Sequence, residues 1–311
     1  MRAIVTGGAG FIGSHLVDAL AARGADVVAL DDLSRGRPED VNPAASLVPA
    51  DIRDGDAVEG TFADLRPDVC FHLAAQADVR VSVADPAFDA EVNLIGTVRI
   101  LEAARAQGAQ VVFASTGGAI YGECEEPAPE TSERRPLSPY GASKLAGEEY
   151  LATWNRLYGT AHVALRYGNV YGPRQDPYGE AGVVAIFFGR LAAGRPFRIF
   201  GDGRQTRDYV YVGDVVDATL AAAGKSGGVF NVGTGRETSV LDLADACRRI
   251  SGVDVDPEFA PPRIGELQRS VLDPSLAERE LGFRARTSLD EGLTATWESI
   301  RSEGEGDDGA N

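Results

Sequence analysis

Tyr140 and Lys144, in the run Tyr140-Gly-Ala-Ser-Lys144, are the pair in this chain best suited to moving a proton. On a helix, residues four apart share a face, so both side chains reach one cleft. A phenol with its ordinary pKa of about 10 is a poor base at neutral pH, and a drop of roughly 3 units takes about 4 kcal/mol of preferential phenolate stabilisation. One ammonium a few ångströms away, at an effective dielectric near 20, supplies roughly that much. A surface Tyr and Lys at accidental spacing share the same short spelling, so the pair takes its meaning from its surroundings.

Those surroundings are rich in turn and strand signals. The turn Gly7-Gly8-Ala9-Gly10-Phe11-Ile12-Gly13 follows the apolar run Arg2-Ala-Ile-Val-Thr6 and opens a segment of helical spacing to Arg23. Glycines at 7, 10 and 13 suit a tight turn, close approach of backbone to a pyrophosphate, and close helix packing. A second strand, Asp26-Val-Val-Ala-Leu30, ends in Asp31-Asp32, roughly 20 residues beyond the turn, where a carboxylate accepts from adenosine ribose hydroxyls. The charge of Asp31 favours NAD over NADP, while Arg35 and Arg37 nearby weigh the other way. The plainer use of Asp31 and Asp32 is to cap the strand and start a loop. Farther on, Val111-Val-Phe-Ala114 delivers the hydroxyls of Ser115-Thr116 to the carboxyl edge, where open α/β sheets hold ligands.

The elements that must position these groups alternate. Strand candidates at 3–6, 27–30, 46–48, 69–73, 110–115 and 162–166 are separated by helical stretches, among them one long helix over Asp89 to Ala106 ending near Gly108. The expected fold class is α/β: a doubly wound parallel (Rossmann) sheet over 1–172 carrying the Tyr/Lys pair, a smaller C-terminal α/β substrate lobe over 173–300, and a disordered acidic tail over 301–311. In the lobe, helices are expected near 183–193, 215–223 and 240–250.

Composition sets the outer limits. At 311 residues and 44% hydrophobic, the chain can bury one large core, or one core and a lobe. A net charge of −17 argues against nucleic acid. No run approaches the roughly 20 apolar residues of a membrane span, and the N-terminus enters a strand without a leader, which points to the cytoplasm. Cys70, Cys124 and Cys247 are odd in number and widely spaced, so free thiols are expected and no metal site. His15, His72 and His162 are single and dispersed, and read as structural.

Taken together, Thr6-Gly-Gly-Ala-Gly-Phe-Ile-Gly13, His72-Leu-Ala-Ala-Gln76, Ser115-Thr116 with Tyr121-Gly122, Tyr140 with Lys144, Arg166-Tyr-Gly-Asn169 with Tyr171-Gly-Pro173, and Arg207-Asp-Tyr-Val210 resemble the extended short-chain dehydrogenase/reductases, in particular the bacterial UDP-glucose 4-epimerases. The resemblance runs from Met1 to about Trp297 and is especially close over Tyr171 to Ile186. It implies NAD as cofactor: Gly7, Gly10, Phe11 and Ile12 at the pyrophosphate, Asp31 with Asp32 at the adenosine ribose, Asp51 and Ile52 at the adenine, and Leu73, Ala74 and Ala75 along the middle. Tyr140 would be the base, Lys144 the nicotinamide ribose ligand, and Tyr167 a neighbour of the nicotinamide. For a UDP-sugar it implies Asn169, Val183, Arg207 and Arg263 around the pyrophosphate, Glu266 at the nucleotide ribose, Ser270 at the sugar pocket and Arg80 as a further substrate contact. Arginine suits pyrophosphate through charged bidentate hydrogen bonds.

The departures from the family pattern are informative. Ser115-Thr116 is followed by Gly117-Gly118-Ala119, so Thr116 would supply the substrate contact usually given by a later serine. The same three residues cannot protonate a departing hydroxyl, which disfavours the related 4,6-dehydratases and decarboxylases. The expected function is UDP-glucose/UDP-galactose 4-epimerisation through a 4-keto sugar, with a UDP-sugar and a second copy of the chain, as a homodimer, for partners. Alternatives are a UDP-glucuronate 4-epimerase, in which Arg80 or Arg174 meets the carboxylate, a UDP-N-acetylglucosamine 4-epimerase, and a non-catalytic NAD-sensing regulator on the same fold.

Overall fold

The computed structural model describes residues 1–177, 182–263 and 266–307. Six strands lie where alternation placed them: β1 (Arg2–Thr6), β2 (Asp26–Asp31), β3 (Ser46–Pro49), β4 (Val69–His72), β5 (Gln110–Thr116) and β6 (Val163–Tyr167). With a seventh strand, Gly228–Val232, they form one parallel sheet in which β1 pairs with both β2 and β4. The chain reverses direction across the sheet between β1 and β4, and the crevice outside their carboxyl ends is where such sheets hold ligands.

Alternate side chains feed two cores. Ala3 and Val5 of β1 point to one face, under the helices Phe11–Ala22 and Val212–Ala222, while Ile4 joins Phe62, Ile100, Leu101 and Phe113 on the other. Both faces are covered, which is why these strands read as continuous apolar runs.

Two expected boundaries change. The division at 172/173 is crossed when Val212–Ala222 and Gly228–Val232 return to the Rossmann sheet. The returning strand is short, opens on two left-handed glycines (Gly227, φ 94°; Gly228, φ 129°) and contains a polar residue, so it carries little strand signal of its own. The helix expected over 89–106 is three pieces: Pro86–Ala90, a π-helical turn Glu91–Ile95, and Gly96–Gln107, capped by Gly108 at φ 70°. The wide turn is held by the buried side-chain amide of Asn93, which donates to Gln76 O at 2.8 Å, while the Asn93 backbone carbonyl accepts from Thr97 Oγ1 at 2.7 Å.

The lobe has its own core of Tyr171, Phe187, Phe188, Leu243, Leu293 and Trp297. Its three-stranded sheet places Thr206–Arg207 between Thr238–Ser239 and Arg269–Ser270. The last helix runs Leu289–Asp307, so the tail expected from 301 is helical as far as Asp307; residues 308–311 lie outside the described residues. The burial of Leu293 and Trp297 anchors this helix, and each further turn costs little once one is fixed.

Candidate active site

The glycine turn forms a cradle at the end of β1. Gly7 has φ 70°, and a Cβ there would lie 2.8 Å from Ala74 N, so only glycine lets the turn abut the loop after β4. A Cβ on Gly13 would lie 1.9 Å from Gly7 O, which seats the helix directly on the turn. Gly10 is the N-cap and no side chain caps the helix, so its first N–H groups, those of Phe11 and Ile12 among them, are offered to an anion. Asp31 Oδ2 accepts from Ala9 N (3.0 Å) and Oδ1 from Leu33 N (2.9 Å). Burial pushes this carboxyl above the usual range against those two bonds. Each oxygen keeps a lone pair for a ribose hydroxyl. Asp32, by contrast, is exposed and caps Ser34 (Oγ at 2.6 Å), so it fits the plainer loop role. These features fit a dinucleotide.

The other expected cofactor residues line the same edge unequally. Leu73 N donates to Thr6 O (3.1 Å) and Ala74 N to Thr6 Oγ1 (3.2 Å), which fixes the half-buried run Leu73, Ala74, Ala75 beside the turn. The carboxylate of Asp51 is taken by Arg53 (2.5 Å), which holds it below the usual range. Ile52 turns into the core against Gly96, leaving its backbone to meet an adenine. Tyr167 is buried, with its hydroxyl 2.8 Å from Thr219 Oγ1.

The helix Pro139–Tyr158 starts at Ser138, whose hydroxyl accepts from Gly141 N, so Tyr140 sits in its first turn and Lys144 one turn on. Lys144 is 2% exposed; its Nζ donates to Ala114 O (3.0 Å) and stands 4.7 Å from the Phe113 ring centroid. Burial lowers Lys144 to about 8, with the charge of Asp89 opposing. The Tyr140 hydroxyl has no hydrogen-bond partner among the described residues. Burial, and then Asp89, push it up to about 12. In the protein without ligands, desolvation and Asp89 set the phenol, and the Lys144 ammonium is directed to the Ala114 carbonyl.

Ser115 is a correction. Its hydroxyl donates to Glu148 Oε1 (2.5 Å), and Glu148 is clasped by Arg166 through Nε (2.9 Å) and Nη2 (2.6 Å). Arg166 Nη1 donates to Tyr121 Oη, which donates to Asn231 Oδ1 on the returning strand. Ser115 thus faces a buried structural network, because successive side chains of β5 point to opposite faces. Thr116 faces the other way. A Cβ on Gly118 would lie 3.6 Å from Asn169 Oδ1 and 4.0 Å from Thr116 Oγ1, so these two flank one open turn.

In the lobe, Ser270 pairs in register with Arg207, and Arg207 Nη2 lies 3.7 Å from Glu266 Oε1. Glu266 N donates to Arg263 O, and the Arg263 guanidinium lies over Phe200, 3.9 Å from its centroid. Four expected substrate residues are thus gathered, with Ile264 and Gly265 between them outside the described residues. Ser270 is 6% exposed, inside the lobe rather than on its surface. Val183 opens the helix Val183–Ala192; residues 178–181 of the stretch most like the epimerases lie outside the described residues. The Arg80 side chain is 65% exposed and lies 3.6 Å from Asp78. Arg174 is tied to Asp18 at 2.8 Å.

The histidines bridge structure. His72 joins Thr6 Oγ1 (2.7 Å) to Thr97 Oγ1 (3.0 Å) and is driven to about 3 by burial. His15 meets Pro173 O (3.0 Å), and His162 Nδ1 accepts from Val111 N (2.9 Å). Asp89, Asn93, Glu148 and the network role of Arg166 were missed in the sequence. Asp89, Asn93 and Thr97 are polar at four-residue spacing on one buried face, a signal that was there to read.

The profile of the NAD dependent epimerase/dehydratase family matches residues 3–233, and the chain belongs to that family. It is 52% identical to a UDP-glucose 4-epimerase of Mycolicibacterium smegmatis, over 97% of this chain and 99% of the relative. It is similar to a UDP-glucose 4-epimerase of Thermotoga maritima solved with UDP-glucose (TM-score 0.95, 49% identity, 97% and 99% coverage). The Thermus thermophilus UDP-glucose 4-epimerase solved with NAD is also similar (TM-score 0.92, 48% identity, 97% and 99% coverage).

Proposed function

We propose that the chain is an NAD-dependent UDP-sugar 4-epimerase that interconverts UDP-glucose and UDP-galactose through a 4-keto sugar. The observation that carries this is the Tyr140 hydroxyl, without a partner among the described residues, on the same sheet edge as an uncapped, glycine-cradled helix end, in a chain so similar to an epimerase solved with UDP-glucose. NAD, when bound, supplies the acceptor and donor of the C4 hydride. Tyr140 takes the proton from the sugar 4-hydroxyl and returns it to the oxygen on the opposite face. Lys144 contributes a buried positive charge beside it. Thr116 orients the reacting oxygen. Asn169, Arg207 and Arg263 hold the nucleotide end firmly while the hexose is held loosely enough to turn over, the division between remote binding and reacting group.

Arg174, one of the two arginines available to a glucuronate carboxylate, is already paired with Asp18, which favours the neutral hexose. A second copy of the chain is the proposed partner: Tyr150, Leu157 and Tyr158 of one helix are 40%, 66% and 51% exposed, an apolar surface suited to self-association. Three free thiols suit a reducing compartment such as the cytoplasm.

Incubation with UDP-galactose followed by separation of the products tests the reading, and no UDP-glucose formed would overturn it; a silent NAD-sensing regulator would give none. Because hydride leaves and returns in each cycle, product should form with no stoichiometric rise in the near-ultraviolet absorbance of reduced nicotinamide. A rise in proportion to product would make the protein a net dehydrogenase.

Ser270 leaves room at the sugar pocket, so UDP-N-acetylgalactosamine should be converted as well as UDP-galactose. Ser270→Tyr should cut conversion of the acetylated sugar by about tenfold or more while sparing UDP-galactose, since filling a pocket discriminates by roughly 10- to 200-fold per small group. If the tyrosine leaves the acetylated sugar's rate unchanged, Ser270 is not the gate.

A further inference from the structure

Asp89 is fully buried, and the function above does not use it. Its Oδ1 accepts from Asn93 Nδ2 (2.9 Å) and Gln76 Nε2 (3.1 Å), and its Oδ2 from Ser143 Oγ (2.6 Å). All three donors are neutral, and no described cation pairs with it. Ser143 lies between Tyr140 and Lys144 on the same helix, so the carboxylate is fastened to the turn that carries both. A carboxylate in such a site acts through a medium that screens poorly. Its field reaches Lys144 and Tyr140.

Other described charged groups around this helix pair with one another, Glu149 with Arg134 among them. Glu148 is paired with Arg166, Glu102 with Arg105 and Glu91 with Arg53; Arg99 is exposed. On the helix Val79–Ala84 and its flanks, Asp78 and Arg80 face each other, and Asp85 caps Phe88 N. His72 is neutral near pH 7.

We infer that Asp89 is a positioning residue of this active site: its carboxylate, fixed by Gln76, Asn93 and Ser143 together, holds the proton on Tyr140 and on Lys144. The inference rests on the epimerase reading for its meaning in turnover, but not for its first measurement. A fixed negative charge disfavours a phenolate and favours an ammonium, so removing it moves both titrations to lower pH. In the ligand-free pocket Asp89 thus keeps Lys144 cationic and Tyr140 protonated, and any positive charge brought in by a ligand tips Tyr140 towards the phenolate.

Asp89→Asn removes the charge and can keep all three contacts: its carbonyl oxygen accepts from Gln76 and Asn93, and its NH2 donates to Ser143, whose hydroxyl turns round to accept. The near-ultraviolet phenolate titration of Tyr140, isolated by difference against Tyr140→Phe, should move down by roughly one pH unit in Asp89→Asn. The acid limb of the pH–rate profile for UDP-galactose should move the same way. Ser143→Ala, which keeps the charge, should shift neither by more than a few tenths. Asp89→Ser carries the same expectation as the asparagine and serves if that variant does not fold. An unmoved titration, or an equal shift in Ser143→Ala, overturns the inference. A wild-type enzyme inert towards UDP-galactose would count against the epimerase reading instead, leaving the phenolate titration to judge Asp89.

Discussion

Tyr140→Phe is expected to lower kcat for UDP-galactose by about 10² to 10⁴ while leaving the fold and NAD binding in place, because it deletes one hydroxyl that the proton transfer requires. The hydroxyl has no described protein partner, so its loss leaves no orphaned donor or acceptor and little reason for instability. The base is not pre-formed: burial and Asp89 hold the phenol near 12 in the ligand-free pocket, and the lysine four residues on is anchored to Ala114 O. The proton must therefore leave in a pocket whose charge has been changed by what binds there, and phenylalanine cannot take part in that exchange. Activity of the variant within a few-fold of wild type would rule Tyr140 out as the base.

Much of this site was legible because its parts are local. A glycine turn after a strand, an aspartate ending the next strand and a Tyr/Lys pair at helical spacing each declare themselves within a dozen residues, and the parallel sheet then aligns them at one edge. What was not legible depends on which way a side chain points and on partners far along the chain. Ser115 and Thr116 are adjacent hydroxyls at a strand end. Only the pleat sends Ser115 to Glu148, 33 residues away, and leaves Thr116 beside Asn169. The seventh strand was missed for a similar reason. Its Asn231 is buried by bonds to Ala128 O and Asp273 O, so a residue that reads as a turn former is held inside the sheet by tertiary contacts. Lys144 fell between the two: its place on the helix was legible, and its carbonyl and aromatic partners on β5 were not.

The largest stability effect should come from Glu148→Ala. Glu148 and Arg166 have side chains 2% exposed each and meet at 2.6 Å, so deleting the carboxylate strands a guanidinium in the core. Breaking a buried pair from one side costs about 3–5 kcal/mol. Tyr121 Oη and Glu130 O still accept from Arg166 Nη1, but neither carries a formal charge at neutral pH to balance it. Ser115 loses its acceptor at the same time. Against a total of about 5–15 kcal/mol for a typical domain, the variant should show a large fall in denaturant midpoint at unchanged slope. Glu148→Gln keeps an oxygen for one of the two guanidinium bonds and should recover part of the loss without restoring the charge. Because the pair bridges β6 and the Tyr140 helix, the glutamine variant should keep more turnover than the alanine at temperatures where both stay folded. A Glu148→Ala midpoint equivalent to less than about 1 kcal/mol of destabilisation would mean that water reaches Arg166 and that the pair is not what joins these elements.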